Sequence, residues 1–256
     1  MLETDQKLNR SVERAVDVMA ALARADRPVS VTDLEQDLSL SRPTLYRILY
    51  TLEKKRVVVS AGDPQRFSLG ARIVELARPW LGDNPVAAIS QPYLATLWNE
   101  TDETVALFVV GDRNTKVCIQ ELQSRQALVF TRGTGIVEPL TMGSSGKSIL
   151  AFTSGDTVEE ILRGIGKKDD RARVERDLVA IRAEGYSLTE GEVIAGAVAM
   201  SAPVFDRTGT VQGSVALYGP ETRLTGAHRT RCLDCLLTAA RHISAAMGHR
   251  PAAAAE

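Results

Sequence analysis

Apolar positions recur at helical spacing through the first fifty residues, give way to a short alternating stretch, and then resume helical spacing. Val12, Val16, Met19 and Leu22 predict an amphipathic helix over 11–24, closed by Arg27-Pro28. Ser30, with Asp33 three residues on, has the form of a capping box and opens a second helix with the stripe Val31, Leu34, Leu38. After a break at Leu40-Ser41, Ser41 is positioned to cap a third helix that tolerates Pro43 in its first turn. Leu45, Ile48, Leu49 and Leu52 share one face of that helix. Arg42, Thr44, Tyr46, Arg47, Tyr50, Thr51, Lys54 and Lys55 lie on the other.

Two short helices joined tightly, the second with a polar and basic outer face, have the pattern of a helix-turn-helix. A plain three-helix bundle would also show amphipathic helices, so the next segment matters. Val57-Val58-Val59-Ser60, the turn Ala61-Gly62-Asp63-Pro64 and Arg66-Phe67-Ser68-Leu69 predict a hairpin, in effect a wing. Gly70 closes it. Residues 71–80 then return to helical spacing through Ile73, Leu76 and Ala77, and Asp83-Asn84-Pro85 breaks that linker.

Beyond the break, the pattern changes to strands and helices in alternation. A helix is predicted over 86–100 through Ile89, Tyr93 and Leu97, and strands over 104–110 and 116–123 flank the turn Gly111-Asp112-Arg113-Asn114. A short strand is predicted over 127–131. Val174, Leu178 and Ile181 mark a helix stopped by Gly185, strands follow over 198–205 and 210–218, and a terminal helix covers 226–247. Hairpin strands with helices gathered to one side indicate an α+β domain.

Composition narrows the function classes. A chain of 256 residues suits two domains, and 44% hydrophobic with 25% charged residues is ordinary for a soluble protein. No apolar run is long enough to span a membrane, the polar start has no signal-peptide core, and three cysteines argue against a disulfide framework. A cytoplasmic location is therefore expected. Net charge is only −1, but 42–78 holds eight basic residues against three acidic ones, +5 here and hence −6 elsewhere. Such a local excess suits phosphate contact, as it also suits a merely solvated face. The candidate DNA-contacting residues are Ser41, Arg42, Thr44, Tyr46, Arg47 and Lys54, with Arg66 on the wing; arginine can pair with guanine and threonine can touch the thymine methyl.

Catalytic patterns fail on inspection. Thr141 stands where a phosphate loop ending at Gly146-Lys147-Ser148 needs glycine, and the Ser144-Ser145-Gly146-Lys147 match to S-x-x-K has no K-T-G after it. The same segment, as a glycine- and serine-rich helix start, offers backbone N–H groups that suit a carboxylate, or simply an N-terminus without ligand. Cys232 and Cys235 form a C-x-x-C, but Cys232 shares an apolar stripe with Leu236, Ala239 and Ile243. Core packing is the preferred reading over zinc or redox chemistry, and neither metal nor cofactor is expected. An enzyme carrying an accessory DNA-binding domain is the main alternative. It lacks a Ser/His/Asp or paired-carboxylate set, since His228 and His242 lie in the final helix and His249 in the tail. An adaptor without any ligand is a third class.

Ser11 to Ala15, Ser41 to Leu52 (SRPTLYRILYTL) and Phe67-Ser68-Leu69-Gly70 resemble the N-terminal domain of IclR-type transcription regulators. Pro139-Leu140, Ser145-Gly146-Lys147, Gly185-Tyr186, Ala202 to Asp206 and Gly219-Pro220 resemble that family's effector domain in order and spacing. The resemblance implies a winged helix-turn-helix over 1–70, a linker helix over 71–83 and a GAF-like α+β effector-binding domain over 84–248. A disordered tail is expected over 249–256. It further implies operator DNA, a small-molecule effector and a homodimer or homotetramer as partners, with control of an adjacent catabolic operon. Carried over by position, the effector pocket comprises Ser144, Ser145, Thr189, Ala199, Ala216 and Tyr218, with Met142 beside them. Where family members that bind small polar acids resemble one another in carrying polar groups, this chain has Thr189, Ala199, Ala216 and Tyr218. That departure favours an effector with a hydrophobic body, such as an aromatic acid or amide.

Overall fold

The computed structural model describes residues 9–25, 27–82, 85–112 and 114–250, with the side chains of 79–82 left out. The expected break at Asp83-Asn84, the turn residue Arg113 and most of the expected tail, 251–256, lie outside the described residues. The chain divides into two compact units, Met1–Asp83 and Asn84–Glu256.

In the first unit α1 (Arg10–Arg24), α2 (Val31–Leu38) and α3 (Arg42–Lys54) enclose a small core with the hairpin β1 (Val58–Ala61) and β2 (Arg66–Leu69). The capping box at Ser30 forms in both directions, with Asp33 N–H donating to Ser30 Oγ at 3.2 Å and Ser30 N–H to Asp33 Oδ2 at 2.9 Å. Ser41 occupies the N-cap of α3 but makes no side-chain cap; its hydroxyl lies 3.0 Å from Thr44 Oγ1 instead. Leu45 and Leu49 are buried, each contributing about 1.5–3 kcal/mol. Phe67 exchanges two backbone hydrogen bonds with Val29, which ties the wing to the approach of α2.

Two stripes differ from their prediction. α1 buries Val18, Ala21 and Leu22, whereas Val12 and Val16 are exposed, because α2 and α3 pack on the adjoining side of the helix. On α4 (Arg72–Gly82), Leu76 is exposed along with Val74.

The second unit is built on one antiparallel sheet of order β5-β4-β3-β8-β7-β6. Its strands are β3 (Thr104–Val110), β4 (Thr115–Leu122), β5 (Val137–Pro139), β6 (Ser187–Glu190), β7 (Ala197–Phe205) and β8 (Val211–Pro220). Period-2 alternation divides two cores. Val105, Leu107, Met200, Val215 and Leu217 face α5 (Pro85–Thr101) and α9 (Gly226–Ala246). Ala106, Phe108, Cys118, Ala216 and Tyr218 join the core formed with α6 (Gly143–Leu150), α7 (Gly155–Arg163) and α8 (Lys168–Glu184). Helices thus cover both faces, not one as expected, since both faces of β3, β7 and β8 are apolar. Residues 127–131 form no strand; the third partner is β5, ten residues later, on the outer edge of β4. Gly185 ends α8 at φ 79°, as its position implied.

Cys232 is fully buried among Leu236, Ala239 and Ile243, and burial pushes its thiol up to about 12. Cys235 packs at the margin of the same core. The pair is core material, an environment that keeps thiols inert.

Candidate functional site

The outer face of α3 presents Tyr46, Arg47, Tyr50, Thr51, Lys54 and Lys55 to solvent. Arg47 has no side-chain partner among the described residues. Lys54 Nζ stands 5.3 Å over the Tyr50 ring, which keeps that ammonium on the same face. Other candidates are already engaged. Arg42 donates Nε to Glu35 at 2.8 Å and Nη2 to Thr32 at 3.3 Å, spanning from α3 back to α2. Arg66 donates Nη1 to the Pro28 carbonyl at 3.3 Å. Ser41 and Thr44 hydrogen-bond to each other at the helix start.

The second site is a cavity of about 50 Å³ between the sheet and α6. Ser144, Ser145, Thr189, Ala199, Ala216 and Tyr218 all line it. The sheet register explains why. Thr189 pairs with Ala199 and Ala199 with Tyr218, while Ala216 pairs with Ser201 one step along the same face. Met142 is not among the residues that line it; its carbonyl accepts Lys116 Nζ at 2.7 Å.

What sequence reasoning missed is the polar half of this cavity. Lys116 on β4 is 1% exposed, and its Nζ also donates to Ser145 Oγ at 2.8 Å and lies 3.4 Å from Glu138 Oε2. It stands 5.1 Å from the Phe108 ring centroid. Arg132 pairs with the other oxygen of Glu138. Burial, helped by the Arg132 charge, pulls the Lys116 ammonium down to about 7. A lysine beside the turn at 111–114 reads as solvent-facing, and its burial comes from its β5 partner Glu138 and from the start of α6. The expectation of few convergent polar groups, drawn from Thr189, Ala199, Ala216 and Tyr218, left out these charged neighbours.

Glu192 closes the cavity from the loop between β6 and β7. Its Oε1 accepts the Gly143 N–H at 3.1 Å and its Oε2 accepts Lys147 Nζ at 2.7 Å. A carboxylate thus already stands on the first N–H of α6, the group expected to suit a ligand. Lys147 is also bound to Asp177 at 2.7 Å, so it is a neutralised structural cation and no general base for Ser144. Tyr218 donates its hydroxyl to Glu121, and burial with that bond pushes the phenol far up. Burial alone would raise Glu121, but hydrogen bonds from Thr131, Tyr218 and two backbone N–H groups hold it below the usual carboxylate range.

Among the described residues no helix is long and apolar enough to cross a membrane. The family model for the IclR helix-turn-helix domain matches residues 11–62, and that for the bacterial transcriptional regulator IclR C-terminal domain matches residues 80–245. The chain is 28% identical to the HTH-type transcriptional regulator KdgR of Escherichia coli over 93% of each protein. It is 27% identical to the regulator BhcR of Paracoccus denitrificans, covering 94% of this chain and 88% of that one. Among solved structures, an IclR-type regulator from Alicyclobacillus acidocaldarius superposes with a TM-score of 0.78 at 23% identity, covering 94% of this chain and all of the other. These matches span both units and bring DNA binding and effector binding together in one molecule. The chain belongs to the IclR family of DNA-binding transcriptional regulators, which are not enzymes.

Proposed function

We propose that the chain reads an operator with α3 in the major groove, and that occupancy of the cavity under α6 changes its affinity for that DNA. The winged domain would cover 1–70, the linker 71–83 and the effector domain 84–248. The observation that carries the DNA reading is the unpaired Arg47 guanidinium between Tyr46 and Tyr50 on the outer face of α3. Arg47→Ala is expected to weaken binding to DNA from the adjacent operon's promoter by about 10- to 100-fold and to relax specificity at one position. Lys54→Ala should weaken all sequences alike and lower the salt slope by about 0.9. An Arg47→Ala protein that matches the unsubstituted one across a salt titration excludes this docking. Exposed Val12 and Val16 on α1, with Val74 and Leu76 on α4, support assembly as at least a homodimer.

For the effector, the cavity's two halves favour an anionic head on Lys116, Arg132, Ser144 and Ser145 and an apolar body against Phe108, Ala199, Ala216 and Tyr218. An aromatic acid has that form. Its ring exceeds about 50 Å³, so entry would displace Glu192, Val193 and Ile194. Gly191 and Gly196, both at positive φ with open space around them, bound that segment. The ligand carboxylate would replace Glu192 at α6, and the displaced segment would carry the signal. The small volume and the cations instead favour a two- or three-carbon acid. Thermal-shift measurements separate the two readings. Benzoate-like compounds are expected to raise the melting temperature. Stabilisation by glyoxylate or pyruvate alone selects the smaller acid.

A further inference from the structure

A second cleft opens where β7 runs beyond its pairing with β6. That pairing covers Val198 to Ser201, so the outer edge of β7 from Ala202 to Phe205 has no strand beside it among the described residues. The end of α8, the turn after α6 and the last turns of α9 surround this edge and leave about 650 Å³, a volume that small organic ligands fill.

The wall of the cleft is aromatic. Phe152 meets Phe205 edge to face with ring centroids 5.3 Å apart, and the His249 ring lies 5.1 Å from Phe205. The end of α9 places that histidine. Gly248 takes a φ of 86°, the His249 N–H returns to the Ser244 carbonyl at 2.9 Å, and Nδ1 lies 3.2 Å from the Asp206 carbonyl oxygen.

The rim is cationic. Arg182 spends Nε on the Ala151 carbonyl at 2.6 Å, and Arg241 spends Nη2 on Thr238 Oγ1 at 3.1 Å. Neither guanidinium has a carboxylate partner among the described residues, and both are exposed. One acid, Glu184, also lines the cleft.

We propose that this cleft is a second ligand site, which takes a planar aromatic anion with its ring against Phe152, Phe205 and His249 and its charge on Arg182 and Arg241. An apolar ligand would leave two guanidiniums unpaired, and an inorganic anion would leave the aromatic wall wet. The site stands independently of the cavity under α6.

The test is isothermal titration of the full chain with 2-naphthoate, repeated on the double variant Arg182→Glu, Arg241→Glu. Both positions are exposed, and circular dichroism confirms that the variant folds. The variant is expected to take up one naphthoate per chain fewer than the natural protein. Equal stoichiometry and affinity, or no uptake by the natural protein, overturns the proposal. A variant that instead shifts to a smaller assembly in sedimentation assigns the cleft to a second copy and overturns it too.

Discussion

Glu103→Ala is expected to destabilise the second unit by about 3 kcal/mol, lowering the urea midpoint of the full chain followed by circular dichroism. Glu103 is fully buried immediately before β3, and its two oxygens accept Arg223 Nε at 2.5 Å and Nη2 at 2.6 Å. His228 Nε2 lies a further 3.5 Å away. Gly219 makes the room, because a Cβ there would collide with the carboxylate. Removing the acid leaves a guanidinium with no counter-charge in a site shaped for one. Arg223 is 26% exposed and regains some water, which puts the cost at the low end of the range for a broken buried pair. Arg125→Ala, which breaks an exposed pair with Asp102, should move the midpoint little. A Glu103→Ala midpoint equal to that of Arg125→Ala would falsify this account.

The second large effect is on pH. Ligand-free Lys116 loses its proton near pH 7, against 10.5 for an ordinary lysine. It is faced by Glu138 and Glu192 with Arg132 and Lys147, and Glu192 spends its ion pair on Lys147, so a ligand carboxylate that displaces Glu192 and sits on Lys116 itself brings the negative charge closer to that ammonium. The complex should hold the lysine proton to higher pH than the free protein does. Affinity for an anionic effector such as benzoate is then constant below pH 7 and falls by up to about tenfold per pH unit above it. Titrations from pH 6 to about 9, in buffers of different ionisation heat, should show one proton taken up per ligand on the alkaline side. Lys116→Met should flatten the profile; an unchanged slope assigns the proton elsewhere. In the ligand-free chain the sign reverses. The unfolded state binds more protons between pH 7 and 10.5, so stability rises with pH through that window.

Legibility followed periodicity. Helices with three or four apolar residues on one face stood out because burial repeats along them, and β3, β7 and β8 because they are short, nearly continuous apolar runs between turns. The Ser30 capping box and the Gly185 stop are local chemistry and read equally well. β5 has only three residues and a single buried side chain, too short to show a period, so the apolar cluster at 127–131 drew the strand assignment instead. Val12 and Leu76 misled for the opposite reason: periodicity reports an apolar face but not whether anything covers it. The cavity's apolar wall was reached only through the family resemblance, position by position, and the sheet register shows what brings those residues together. Its charges were not reached, because Lys116, Arg132 and Glu192 meet only through tertiary structure.

That division of the cavity bears on how such a sensor can change its ligand over generations. The groups proposed to hold an anion come from β4, the segment leading into β5 and the start of α6, while Ala199 and Ala216 project from paired central strands whose backbones are secured on both sides. Enlarging or shrinking those two side chains alters the space for the ligand's body and leaves the charged grip untouched. Under that proposal, single substitutions at Ala199 or Ala216 open a route to new specificities that keeps the charged grip at every step.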